Sequence, residues 1–256
     1  MHNSQLFHKW IPNKGSIDNP LVLIHGFLES HTIWYQLPLS KLNRPVLLLD
    51  VPGFGKSNLL DDNHPSIAYF AREIDQLLRS YKVSNCQIVG HSMGGYIGLD
   101  LLEHSENVQK VILLNSNFWT DSDQKKKDRT RVADILLKSK NLFISEAIPN
   151  LFLHPEKHQT TIDALIQEAK TGIAEWYAYA SLAMRERSDF TSFLKEHPER
   201  IEIIQGDQDA LIPLSTMKEN CTGWKTIHIV KDSGHMSLFE QAEEVIALLH
   251  TLLQTN

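Results

Sequence analysis

The chain has 256 residues, long enough for one large α/β domain that buries roughly 70–75% of its unfolded surface without disulfides or metals. Hydrophobic residues make up 42% and charged residues 22%, and 25 Lys+Arg against 31 Asp+Glu leave a net charge of −6. A mildly acidic chain has no electrostatic reason to seek nucleic acid or an anionic membrane, and no stretch approaches the ~20 apolar residues of a membrane helix.

The segment Met1 to Ile11 lacks an apolar run of signal-peptide length, and Cys86 and Cys221 are far apart, outside any C-x-x-C spacing. Both thiols are expected reduced, Asn220-Cys221-Thr222 is discounted as a glycosylation site, and a cytoplasmic location is expected.

In chain order, short apolar runs alternate with helical patterns. A strand near Leu6–Ile11 is expected at a sheet edge. Leu21–Ile24 ends at His25-Gly26, Val46–Leu49 at Asp50-Val51-Pro52-Gly53, Gln87–Val89 at Gly90, and Val111–Leu114 at Asn115; Ile201–Ile204 and Thr226–Val230 follow. Runs this short and apolar on both faces read as buried parallel strands. Between them, Ile67, Phe70, Ile74, Leu77, Leu78 and Tyr81 fall at helical spacing after an N-cap at Ser66, and Leu238 to Leu252 carries a second helical pattern. The alternation predicts a doubly wound, mostly parallel sheet of about seven or eight strands with helices on both faces. From 118 to 193 the pattern is helical, with no convincing strand. This segment is expected to form a helical cap over the carboxyl ends of the strands, with 1–117 and 194–256 as the core.

Gly90-His91-Ser92-Met93-Gly94 fits G-x-S-x-G, between an apolar strand and a helix. A nucleophile on so tight a strand-to-helix turn has a strained backbone, and side chains two residues to either side would collide with neighbouring elements. A serine hydroxyl needs a base, and His235, in Ser233-Gly234-His235, follows the last strand at the same sheet edge; of the 13 histidines it is the one placed for this role. Asp207 and Asp209 both follow the strand that starts at Ile201. Asp209 is the preferred acid, and the other carboxylate is expected to cap the turn. The oxyanion hole would use the N–H groups of Met93 and of the loop after Ile24, with Phe27 the expected donor; His25 is expected to tie that loop down. Gly53-Phe54-Gly55-Lys56-Ser57 ends like a phosphate-binding loop, but Asp50 stands where its first glycine belongs, so no nucleotide site is expected. No spacing suggests a catalytic metal, and no cofactor is implied.

These stretches, in this order from residue 25 to residue 235, resemble the α/β-hydrolase superfamily, and most closely its small members with a helical cap between the sixth and seventh strands. In that family the triad acid stands three residues after the strand's glycine, here Gly206, which implies Asp209. The family often has two antiparallel strands before the His-Gly strand; twenty residues precede Leu21, so one is expected to be short or missing. The resemblance spans esterases, enol-lactonases, C–C bond hydrolases, a menaquinone-pathway lyase, haloalkane dehalogenases and cofactor-free haloperoxidases. Dehalogenases use an Asp nucleophile, unlike Ser92, and haloperoxidases commonly place Trp where Met93 stands.

The expected function is therefore a serine hydrolase that cleaves a small ester, lactone or thioester through an acyl-enzyme. A C–C hydrolase or lyase using the same triad, and a non-catalytic ligand sensor on this fold, are the alternatives. A small-molecule acyl substrate is the expected partner, and no oligomeric state is assigned. Leu28, Trp119, Trp176, Tyr179 and Met184 are, with Phe27, candidate pocket residues, each equally readable as core packing. Arg185 is a candidate carboxylate ligand or a surface arginine, and Lys125-Lys126-Lys127 is expected to be a solvated helix face.

Overall fold

A computed structural model describes residues 6–13, 19–58 and 64–254; the remaining parts of the expected core segments lie outside the described residues. Seven strands form one sheet: β1 (His8–Ile11), β2 (Leu21–Ile24), β3 (Val46–Leu49), β4 (Cys86–His91), β5 (Val108–Leu114), β6 (Ile201–Gly206) and β7 (His228–Val230), in the order β1-β3-β2-β4-β5-β6-β7. Only β1, at the edge on β3, runs antiparallel. A single strand, β1, precedes β2 among the described residues.

The four residues of β2 and the four of β3 are all fully buried. Their continuous apolar runs follow from a parallel sheet covered on both faces. Helix α1 (Ile67–Ser80) is capped by the Ser66 hydroxyl, which accepts from Tyr69 N, and it buries Ile67, Phe70, Ile74, Leu77 and Leu78. It packs on α2 (Met93–His104), which lies on β2, β4 and β5.

The chain leaves β2 toward β3 and β1, then crosses back so that β4 joins the other side of β2. The loops after β2 and β4 therefore diverge in opposite directions, and the crevice between them is the topological switch point where open α/β sheets bind ligands. Aligned registers (Ile24 with Gly90, His91 with Leu114, Leu114 with Ile204, Gly206 with Val230) bring the loops after β2, β4, β5, β6 and β7 to one edge.

Between β5 and β6 come only helices: α3 (Asp123–Ala147), α4 (Gln159–Thr171), α5 (Ala174–Arg185) and α6 (Thr191–Glu196). The Ser122 hydroxyl caps α3 by accepting from Lys125 N. The helix breaks at Ser139 (φ −149°, ψ 45°), next to Lys140, whose ammonium donates to the carbonyls of Lys170 (2.7 Å) and Gly172 at the end of α4. A cation there is favoured by the helix dipole, and the break at Ser139 kinks α3.

After β6 come α7 (Leu214–Cys221), β7, α8 (Ser237–Glu240) and α9 (Ala242–Leu252). The apolar pattern from Leu238 to Leu252 reads as one helix, but Gln241 (φ −138°, ψ 49°) divides it. The cause is tertiary: the Glu240 carboxylate accepts from Gly234 N (2.8 Å) and Leu153 N (2.6 Å), which pins the end of α8 against two loops. No helix among the described residues is long and apolar enough to cross a membrane.

Candidate active site

Ser92 stands between β4 and α2 with φ 50° and ψ −116°, a left-handed conformation that a side chain adopts only under constraint. Two flanking glycines make the turn possible. A Cβ on Gly90 would lie 2.4 Å from the Gly94 backbone, and one on Gly94 would lie 2.1 Å from the Ile24 carbonyl oxygen. The turn is held from the β5 side as well, where Ser92 N donates to Leu114 O (3.1 Å) and the Ser116 hydroxyl donates to Ser92 O (2.6 Å).

His235 arrives on the loop after β7. Its Nε2 lies 2.9 Å from Ser92 Oγ and its Nδ1 2.9 Å from Asp209 Oδ2. Asp209 is 3% exposed, yet its carboxylate is fully solvated by protein. Oδ2 also accepts from Asn115 Nδ2 (3.1 Å) and Gln205 Nε2 (2.9 Å), while Oδ1 accepts from Leu211 N (2.9 Å) and Ile212 N (3.0 Å). Burial opposes its charge, but His235 and these donors outweigh burial and hold the carboxyl down at about 2. Asp207, the alternative acid, accepts from Ser233 N (3.3 Å) and so caps the His235 loop.

Asn115, which the sequence does not single out as a functional residue, also belongs to the site. Its side chain ties Asp209 to the Gly234 carbonyl (3.0 Å), and the Ser237 hydroxyl donates to its Oδ1. The one signal in the sequence is its place directly after β5, at the same edge as the other site loops.

Phe27 lies beside Ser92 in the wall of the cavity described below, and Met93 begins α2. Their N–H groups form no hydrogen bond among the described residues. His25 is wholly buried; Nδ1 donates to Gly26 O (2.8 Å) and Nε2 accepts from Val51 N (3.0 Å), and burial lowers its pKa, so it ties the loop down as a neutral ring. In the phosphate-loop look-alike, Asp50 Oδ2 accepts from Lys56 N (2.9 Å), an acid where a phosphate oxygen would have to sit.

Beneath the site lies a buried pair also missing from the sequence reading. His91 Nδ1 donates to Glu29 Oε2 (2.9 Å), and His91 Nε2 donates to the His235 carbonyl (3.0 Å). Glu29 Oε2 accepts in addition from Gly26 N (2.5 Å). Burial disfavours both charges, but each partner overrides it: Glu29 raises the pKa of His91, and His91 lowers that of Glu29. The pair therefore links the loop after β2 to the loop that carries His235.

Ser92 and His235 open into a cavity of about 370 Å³ roofed by α3 and the loop after it. Phe27, Leu28 and Met184 line it, as the sequence reading expected. Trp119, Trp176 and Tyr179 do not, which corrects three of the candidate pocket residues. Tyr179 packs on Tyr69 and Phe70 and donates to the His64 carbonyl (3.0 Å). It stands five positions from Met184 on α5, about 140° around the helix, so the two cannot face the same space. Trp119 packs edge-on against Phe118 and accepts from Arg187 through its carbonyl (3.1 Å), while Trp176 is half-buried elsewhere on α5. Arg185 is held by Glu186 (2.6 Å) and Thr130 (2.9 Å), outside the cavity. Lys125 departs from the solvated face expected of it: it is half-buried and lines the cavity with Arg129 and Val132. The i, i+4, i+7 spacing of those three is the signal that puts them on one face of α3.

A strained serine turn at a switch point, with a histidine and a carboxylate in hydrogen-bonded series, defines the class. The family model for the alpha/beta hydrolase fold matches residues 19–242, and the chain belongs to that family. Among relatives, it is 25% identical over 244 residues to the dihydrolipoyllysine-residue acetyltransferase component of the acetoin cleaving system of Pseudomonas putida (93% of this chain, 64% of that one). It is 39% identical over 151 residues to RutD of Serratia proteamaculans, named for carbamate hydrolysis (58% and 55%). It is 25% identical over 264 residues to a 2-hydroxymuconate semialdehyde hydrolase of a Pseudomonas species (91% and 86%). The chain thus spans less than two thirds of the first two relatives. Among solved structures, a thermophilic esterase from Thermogutta terrifontis superposes with a TM-score of 0.86 (24% identity, 97% of this chain and 93% of that one), and an enol-lactonase from Burkholderia xenovorans with 0.83 (20%, 97% and 96%); both show the shared fold.

Proposed function

We propose that the protein is a serine hydrolase that cleaves a small ester, lactone or thioester through an acyl-enzyme. The observation that carries this reading is the unbroken series Ser92 Oγ–His235–Asp209, with 2.9 Å at each link. Ser92 attacks the carbonyl carbon while His235 Nε2 takes the hydroxyl proton, and Asp209 stabilises the imidazolium that forms. The N–H groups of Phe27 and Met93 hold the oxyanion, and the latter stands at the positive end of α2. The tetrahedral adduct collapses as His235 returns the proton to the leaving oxygen or sulfur. Water then attacks the acyl-serine by the same route and releases the acid. Residues 118–193 act as a cap that limits which acyl group enters.

A second reading, C–C bond hydrolysis, has one observation in its favour: the alignment with the 2-hydroxymuconate semialdehyde hydrolase over 91% of the chain. A panel of p-nitrophenyl esters of increasing acyl length, with fluorophosphonate labelling, tests both. Ester turnover and labelling at Ser92, both abolished in Ser92→Ala, are the expected result. Turnover of vinylogous diketones without ester turnover would favour C–C cleavage, and neither turnover nor labelling would overturn the hydrolase reading.

A further inference from the structure

The cavity wall carries a cation that the triad does not use. Asp121 is the buried carboxylate of the α3 approach, and two guanidiniums already share it: Arg129 Nε at 3.1 Å and Arg187 Nη2 at 2.8 Å. Arg187 is in addition stacked on the Tyr96 ring, 4.3 Å from its centroid, and donates to the Met184 carbonyl (2.9 Å). Lys125, one turn before Arg129, lines the same cavity as Ser92 and His235. Its ammonium has no hydrogen-bonding acceptor or ion-pair partner among the described residues. Of the other acids of the wall, Asp128 is exposed and accepts from Gln124 Nε2 (3.1 Å), and Glu29 is paired with His91 (2.9 Å).

We propose that Lys125 binds a carboxylate on the acyl part of the substrate, so that the preferred substrates are half-esters or other monoacyl derivatives of dicarboxylic acids. This rests on the serine-hydrolase reading of the site and names the substrate class for it. A half-buried ammonium without a hydrogen-bonding or ion-pair partner loses hydration, which the longer-range pull of nearby carboxylates repays only in part until an anion arrives. Burial first, then Arg129 and Arg187, lower the lysine's pKa against the pull of Asp121 and Asp128, and a bound carboxylate relieves that cost. The stoichiometry favours a carboxylate over a phosphate. One ammonium matches one negative charge, whereas a phosphate dianion would bring surplus charge close to Asp121 and Asp128. The remainder of the wall, with Phe27, Leu28, Val132, Phe143 and Met184, suits the methylenes between the two carbonyl groups.

The test uses the full chain carrying Ser92→Ala, so that binding is read without turnover. Monomethyl and dimethyl esters of succinic, glutaric and adipic acid are titrated by calorimetry. For at least one chain length the half-ester is expected to bind about tenfold more tightly than the diester, as a charge-assisted contact would give. That ratio is expected to fall toward one when Lys125→Met is added. Lys125→Glu, which retains a polar side chain at the position, is expected to invert the ratio and to favour methyl 4-aminobutanoate over methyl butanoate. Equal affinities for half-esters and diesters at every length, or a preference that survives Lys125→Met, would overturn the proposal. Because binding is read in the Ser92→Ala chain, that failure leaves the ester reading intact, and failure of the ester panel is visible separately.

Discussion

Ser92 holds a left-handed backbone because the parts around it leave it no other path. The Gly94 position admits no side chain, since the Ile24 carbonyl occupies the space of a Cβ at 2.1 Å and both groups are backbone. Gly94→Ala is expected to destabilise the fold by about 3 kcal/mol or more and to abolish Ser92 labelling, which urea unfolding and the fluorophosphonate probe will measure. Asp209 has a different signature. Its carboxyl titrates at about 2 in the fold against an ordinary 3.8, so its contribution is present above 3.8 and lost as pH falls toward 2. The contribution is on the order of 2 kcal/mol. The gap in unfolding free energy between the parent chain and Asp209→Asn is expected to narrow by that much from pH 6 to pH 2. At pH 7 the same substitution is expected to lower kcat roughly 10³–10⁴-fold, since an amide cannot stabilise the imidazolium. At this scale the sequence was informative where a residue type has a single use at its position. G-x-S-x-G and the order Ser, Asp, His pick out Ser92, Asp209 and His235, whose mutual distances are those of a triad. Asn115 and Glu29 were not legible, because amides and acids in loops have many uses and only their partners select one.

Among the elements, the Glu29–His91 pair links the loop after β2 to the loop after β7. Glu29 accepts from the N–H next to the Phe27 loop, and His91 donates to the carbonyl of His235 itself. Glu29→Gln removes the negative charge that keeps His91 protonated in the interior. It is expected to lower kcat about tenfold with little change in KM for a neutral ester, because the loops that position the reacting groups loosen while the near-isosteric glutamine preserves the shape of the cavity wall. Steady-state kinetics with p-nitrophenyl butyrate will separate the two parameters. A fall in kcat matched by loss of secondary structure in circular dichroism would instead mark the pair as part of the folding core. Strand positions were legible from their apolar runs. The division of the last helix at Gln241 was not, because the apolar spacing continues across it and the Glu240 contacts that divide it come from residues 153 and 234.

For the molecule as a whole, Arg187 joins the helical segment to the sheet core. It is 7% exposed and bonds to Asp121, to the carbonyls of Trp119 and Met184, and to the face of Tyr96 on α2. Arg187→Leu leaves Asp121 with one guanidinium in place of two. The expected loss is about 3 kcal/mol, or roughly 6–12 °C in Tm by calorimetry for a domain of this size. The sequence by itself determined the strand–helix alternation, the edge where the loops gather and the residues Ser92, Asp209 and His235 that meet there, because each rests on short-range rules: burial on both faces of a strand, the sterics of a tight turn and the spacing of residues that follow successive strands. Tertiary structure alone decided which helical faces meet the cavity. It turned Tyr179 away from that space and Met184 toward it, drew Lys125 in from an expected solvent face, and left its ammonium without a hydrogen bond or ion pair among the described residues, beside an aspartate that two arginines already hold. Those outcomes depend on the rotation of α3 and α5 against the sheet, which packing of the whole chain sets and no local spacing encodes.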